Sequence, residues 1–125
     1  MTTATQAREA VATAARAAVP ERWTVYPWMP AVEALPCGIV GAQAPYRTHL
    51  TAGADQLHLR LVALHQVAVG AAGGDVIEAV VDALRAKLDE AGFGWQSVAA
   101  MDEITNRSGV DCFRGGIDLP PITVT

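Results

Sequence analysis

The sequence predicts an α+β domain: a mostly antiparallel sheet of about five strands with two helices packed on one face. Two stretches carry that prediction. Asp55–Val69, DQLHLRLVALHQVAV, begins as an alternation, with Leu57, Leu59 and Leu61 on one face and His58, Arg60 and Val62 on the other. That is the period of a strand with one buried side. After Leu61 the pattern loosens into consecutive Val62, Ala63 and Leu64 before Val67 and Val69 resume it, as a bulge or burial of both faces would require. Val76–Ala91 instead gathers Val76, Ile77, Val80, Val81, Leu84 and Leu88 on one helical face, with Glu78, Asp82, Arg85, Lys87, Asp89 and Glu90 opposite.

Taken in order, Thr3–Val19 is a helix of good formers, capped by Thr2 or Thr3 and stopped by Pro20. Its apolar stripe, Ala4, Ala7, Val11, Ala14, Ala15 and Ala18, is nearly all alanine and buries little area unless something packs close. Glu21–Tyr26 is a short strand with Trp23 and Val25 on one face. The segment PWMPAVEALP holds Pro27, Pro30 and Pro36 and is neither a helix nor a central strand. Its Trp28 and Met29 either cover the bottom of the core or mark a contact. Leu35–Ala42 is a second strand. Gln43–Ala54, QAPYRTHLTAGA, is expected to be a loop longer than a tight hairpin needs, offering Tyr46, Arg47, His49 and Leu50.

The central strand leads into a break at Ala71–Gly74, with Asp75 as N-cap of the second helix and Gly92 as its left-handed terminator. In that helix Glu78 and Asp82 repel at i,i+4, and Arg85 offsets them weakly. Trp95–Ile104 and Val110–Leu119 are the closing strands, joined by a turn at Asn106–Gly109. The tail, with Ile122 and Val124, is β-prone and suited to a sheet edge in this chain or in a neighbour.

The 125 residues suit a single domain, 1–125, with a proper core. Charged residues are 18%, below the usual share of about 25%. A net charge of -4, with Lys87 the one lysine and the arginines scattered, argues against a general nucleic-acid binder. Cys37 and Cys112 have no metal-ligand spacing and are read as small buried residues, with nothing to support a disulfide. The N-terminus lacks the pattern of a signal peptide, and no apolar run suggests a membrane span, so the chain is expected to be soluble and made in a cytoplasm.

No motif of nucleophilic, phosphate-binding, metalloprotease or dinucleotide chemistry occurs. His58 and His65 fall on opposite faces of a regular strand, and with His49 they do not form the converging set that zinc needs. Gly70–Gly74 lacks the lysine and spacing of a phosphate loop and is read as a strand-to-helix turn. Asp102, Glu103, Asp111 and Asp118 make the last third acidic. They form either a solvated face or, in an assembly of copies, a channel lining that repels passing nucleic acid.

Several of these segments together resemble the tail terminator proteins of long-tailed bacteriophages, especially phages of actinobacteria. They are the alanine-rich first helix, VYPWMP followed by LPCGIVGA, QLHLRLVALHQVAV, DVIEAVVDALRAKLDEAG, and the pair VAAMDEI and GVDCFRGGIDLPPITV. The resemblance covers nearly the whole chain. It implies a structural protein of the virion, not an enzyme and without cofactor. Its copies would close into a ring, usually a hexamer, on the last ring of tail-tube protein. The ring stops tube growth at the head-proximal end and meets the head–tail connector, with DNA only passing through. A ring would also cover the open face and edges of a small sheet. It would bring Trp28, Met29, Tyr46, Arg47, His49, Leu50, Ile122 and Val124 to subunit or tube contacts, and Asp102, Glu103, Asp111 and Asp118 to the channel. Two other readings remain open at this point. One is a neck or tail-completion protein. The other is a small ligand-binding or enzymatic domain using His58, His65 and Cys112.

Overall fold

The computed structural model describes residues 2–67 and 72–125. It has the expected α+β class, with two helices and a six-stranded, mostly antiparallel sheet. The elements run α1 (Ala4–Ala18), β1 (Thr24–Tyr26), β2 (Cys37–Thr51), β3 (Ala54–Gln66), α2 (Ala72–Glu90), β4 (Ser97–Thr105), β5 (Asp111–Asp118) and β6 (Ile122–Val124). The sheet order is β1-β2-β3-β5-β4, and β6 pairs with β3 beyond the end of β5. Among the described residues only β1 and β2 run parallel.

The β3 alternation does what its period requires. Leu57, Leu59, Leu61 and Ala63 are buried beneath the helices, and directly opposite them lie Val40 of β2 and Ile117 of β5. Leu64 points the other way and is buried too, so the consecutive apolar run reflects burial on both faces. Leu64 joins Cys37, Ile39 and Cys112 in a second small core on the helix-free face, with Tyr26 and Leu35 packed against it. The proline-rich segment thus covers part of that face within the chain itself. The end of the expected central strand, at Val69, lies outside the described residues.

Helix α2 buries Ile77, Val80, Val81, Leu84 and Leu88, as its pattern demands. It begins at Ala72, not after Gly74, so Asp75 sits in the first turn, where its charge complements the helix dipole. The reason for two glycines inside the helix is close approach. A Cβ on Gly73 would stand 2.9 Å from the Phe113 ring, and one on Gly74 3.2 Å from the Met101 methyl. The first part of the expected Gly70–Gly74 turn lies outside the described residues. Gly92, at φ +86°, closes the helix as its position suggests.

Helix α1 is capped by Thr3 in a reciprocal pair with Gln6. Its buried stripe is Ala7, Arg8, Val11, Ala12 and Ala15, rotated from the all-apolar stripe expected from the alanines; Ala14 is only half-buried. The rotation follows from Arg8, which is 3% exposed and turned inward.

The expected loop at 43–54 is a correction. Strand β2 continues to Thr51 and turns at 52–53, with Gly53 at φ +79°, into β3. Between the pairs Ala42–Leu59 and Arg47–Leu57, β2 advances five residues against two on β3. The surplus bulges outward, and the Gln43 amide fills the break, donating from Nε2 to Leu59 O at 2.7 Å and Leu119 O at 3.0 Å. Pro45 sits inside this bulge, where a missing N–H costs the ladder nothing.

Candidate assembly surfaces

The residues singled out by sequence separate into internal anchors and free surface. Tyr46 is an anchor, half-buried against the main core, with its Oη accepting from Arg8 Nη1 at 3.3 Å. Arg47 binds Asp55 at 2.7 Å and donates to the Thr125 carbonyl at 3.0 Å, tying the C-terminus to the hairpin. Val124 is a correction: it is 1% exposed in this chain's own core, and β6 pairs with β3 through Asp55–Val124, Gln56–Thr123 and Leu57–Ile122. Ile122 packs partly buried on the same core. The tail edge is therefore used within the chain. Leu50 is exposed near the hairpin tip, and the His49 side chain, 76% exposed, has its Nδ1 3.6 Å from Asp55 Oδ1.

The acidic residues do not gather. Asp118 lies directly across from Arg60 and pairs with it at 2.6 Å, while Asp102 lies across from Arg114 and pairs at 2.5 Å. The Arg114 hydrogen bond holds the Asp102 carboxyl below the usual carboxylate range. Asp111 accepts from the Thr105 hydroxyl at 2.8 Å. Glu103 is exposed. Asp102 and Asp118 thus form two neutralised cross-strand pairs on the helix-free face.

The histidines are local. His58 Nε2 meets Thr48 Oγ1 at 2.8 Å, and His65 Nδ1 donates to the Gln66 carbonyl at 2.8 Å, on opposite faces of β3. Among the described residues no group of three or more His, Cys, Asp or Glu is placed to hold a metal ion. Cys37 and Cys112 lie in the strands flanking β3 and are fully buried. Two strand spacings and a two-residue offset along β3 put their Cα atoms about 12 Å apart, too far for a disulfide.

Burial, then the Glu33 carboxylate, then Cys112 push the Cys37 thiol up from 9.0 to about 12. Burial raises Cys112 as well. Both thiols should stay silent to a thiol reagent in the native protein and react on unfolding, read by titration with and without denaturant. The sign of the linkage is fixed by the raised value. The folded chain keeps a proton that the unfolded chain loses, so stability is full below pH 9.0 and falls as pH rises towards about 12. Subtracting the pH–stability curve of Cys37→Ala from that of the native chain isolates this loss.

The residue that sequence reasoning missed is Arg8. Its Nε donates to Pro27 O at 2.8 Å and its Nη2 to Val40 O, and its guanidinium lies 3.8 Å from the Trp28 ring centroid. Helix α1, strand β2 and the proline-rich segment are thereby pinned at one point. The signal was present: Arg8 falls on the spacing of Val11, Ala12 and Ala15, a charge in the middle of an apolar stripe. Beyond this clamp the segment projects apolar surface, with Trp28 48%, Met29 53% and Val32 68% exposed.

A second apolar surface is a groove of about 630 Å³ between the helices, walled by Ala10, Thr13, Ala14, Ala17 and Ala91 and closed by Phe93. Lys87 and Glu90 pair at 3.1 Å on its rim. The Thr13 hydroxyl donates to Glu9 O, so it has no free claim on the groove. The long sheet edges, by contrast, are poor sites for strand addition. Strand β4 is exposed along nearly all of its length but is broken by a bulge between Ala99 and Asp102 and carries Asp102 and Glu103. The outer edge of β2 beyond its pairing with β1 carries the Pro45 bulge. Bulges, charge and proline are the devices that discourage edge pairing. No protein-family model matches the chain, and no curated protein matches it.

Proposed function

We propose that this chain is a structural assembly protein that closes with identical copies into a ring, and that the ring is the terminator of a long phage tail. In this reading it caps the last ring of tail-tube protein, halts tube growth and meets the head–tail connector in the virion, with DNA passing through its centre. The sequence resemblance supplies the tail assignment. One structural observation supports self-assembly. The chain exposes an apolar projection at Trp28–Met29 and, as a separate patch, an apolar groove between the helices. Two different patches on one chain meet head to tail, and such a contact closes into a ring when its rotation allows. Removing the protein from assembling virions is expected to yield tubes of uncontrolled length, measured by electron microscopy. Adding it back is expected to place a ring at tube ends. Tails of normal length in its absence overturn the proposal.

A further inference from the structure

The geometry points to an oxyanion site on the helix-free face of the sheet, where Arg60 and Arg114 hold a phosphate-type ion between them over Gly116. The inference is independent of the ring reading.

The face is laid out in rows. Arg60 of β3 stands across from Asp118 of β5, Val62 across from Gly116, and Leu64 across from Arg114. Ala99 of β4 lies beyond Gly116, and Asp102 beyond Arg114. The middle row is low, with an arginine on either side of it, and a cavity of about 90 Å³ opens there. Pockets for whole small molecules are roughly 300–1,000 Å³, so this one suits a single anionic group.

The bulge in β4 helps to build the site. Between Ala99 and Asp102 the strand advances three residues while β5 goes two, from Gly116 to Arg114. In a regular ladder Met101 would face Arg114. The bulge puts Asp102 there instead and sends Met101 to the helices, where its methyl lies against Gly74. An exposed ion pair adds little stability, so stability does not explain the irregular ladder. What the pairs do is aim the guanidinium groups. Arg114 donates to Asp102 from Nε at 3.0 Å and from Nη2 at 2.5 Å. Arg60 donates to Asp118 from Nε at 2.6 Å and from Nη2 at 3.1 Å. Both oxygens of each aspartate are engaged, including those of Asp102, which also lines the cavity. The Nη1 of each arginine lies outside its fork and keeps its N–H donors. Among the described residues no acceptor engages either Nη1. The two cations also feel each other. The Asp102 hydrogen bond raises the Arg114 pKa, while burial and the Arg60 charge oppose it. An oxyanion between them accepts from both side chains and relieves that repulsion.

The test titrates inorganic phosphate into the full-length chain, against sodium chloride of matched ionic strength, and follows backbone amide and arginine Nε–H signals by NMR. Saturable shifts are expected at Arg60, Ala99, Arg114 and Gly116. None is expected at Arg47, which also pairs with an aspartate but does not line this cavity. Asp102→Asn combined with Arg114→Gln keeps the net charge of the site and removes one guanidinium, and is expected to weaken binding at least tenfold. Gly116→Ala is the second variant. Its Cβ would stand 3.7 Å from Arg60 Cδ and 3.8 Å from the Ala99 Cβ, ordinary contacts that the fold accepts but that fill the floor of the cavity. It is expected to weaken binding with melting unchanged or raised. A short DNA duplex is expected to shift none of these signals, because a chain of net charge -4 repels a polyanion. Shifts at Arg47 equal to those at Arg60 and Arg114, or binding that survives both variants, overturn the site. Duplex binding at these residues in place of phosphate overturns its assignment to a free ion.

Discussion

Arg8→Met is expected to destabilise the fold by about 3 kcal/mol, measured by denaturant unfolding. Methionine keeps the helix propensity and much of the length, so the loss isolates the guanidinium. Three acceptors lose their donor at once: the Pro27 and Val40 carbonyls and the Tyr46 hydroxyl. The Val40 bond is buried, and an acceptor stranded away from water costs more than the bond itself contributes. Trp28 also loses the cation beneath its ring. The damage should spread along a defined path. Hydrogen exchange is expected to rise first in the proline-rich segment and at the β1–β2 end of the sheet, and last at α2. A uniform rise would mean that Arg8 is one packing residue among many and not the point holding three elements together.

Gly115→Val is expected to cost about 3 kcal/mol by overpacking. Strand β5 crosses under α2 at this position, and a Cβ there would stand 2.8 Å from the Ile77 Cγ2 methyl and 3.0 Å from that of Val81. Both neighbours are β-branched and nearly fully buried, so neither moves aside cheaply. The helix must lift off the sheet or β5 must bend. Pairing the change with Ile77→Ala is expected to recover part of the loss, because the truncated side chain vacates the space the valine needs. A double variant no more stable than the sum of the two single changes would show that the strain lies in the strand and not beneath the helix.

These two sites show where reading the chain succeeded and where it stopped. The leucine alternation of β3 and the apolar face of α2 were legible because each is set by a local period facing one core. The hairpin at 43–54 was not. Pro45 and Gly53 carry turn chemistry, and the strand absorbs Pro45 in a bulge where Gln43 reaches the carbonyls of Leu59 and Leu119. The start of α2 was misread for a similar reason. Gly73 and Gly74 look like a break along the chain, yet they are helical so that the helix can approach Phe113 and Met101. Among the surface candidates, Trp28 and Met29 were identifiable as large apolar residues in a proline-rich stretch. The groove between the helices was not, because its walls come from α1 and from the end of α2, which only packing brings together.

By itself, the order of residues determined the two helices, the central strand, the α+β class and the absence of a recognisable catalytic motif, since periodicity and composition act over a few neighbouring positions. Only the tertiary structure decided that Arg8 faces inward, that Val124 closes this chain's own sheet, that Asp102 and Asp118 are neutralised by facing arginines, and that the ends of α1 and α2 form a groove. Each of those depends on what lies across space from a residue, and distance along the chain carries no record of that.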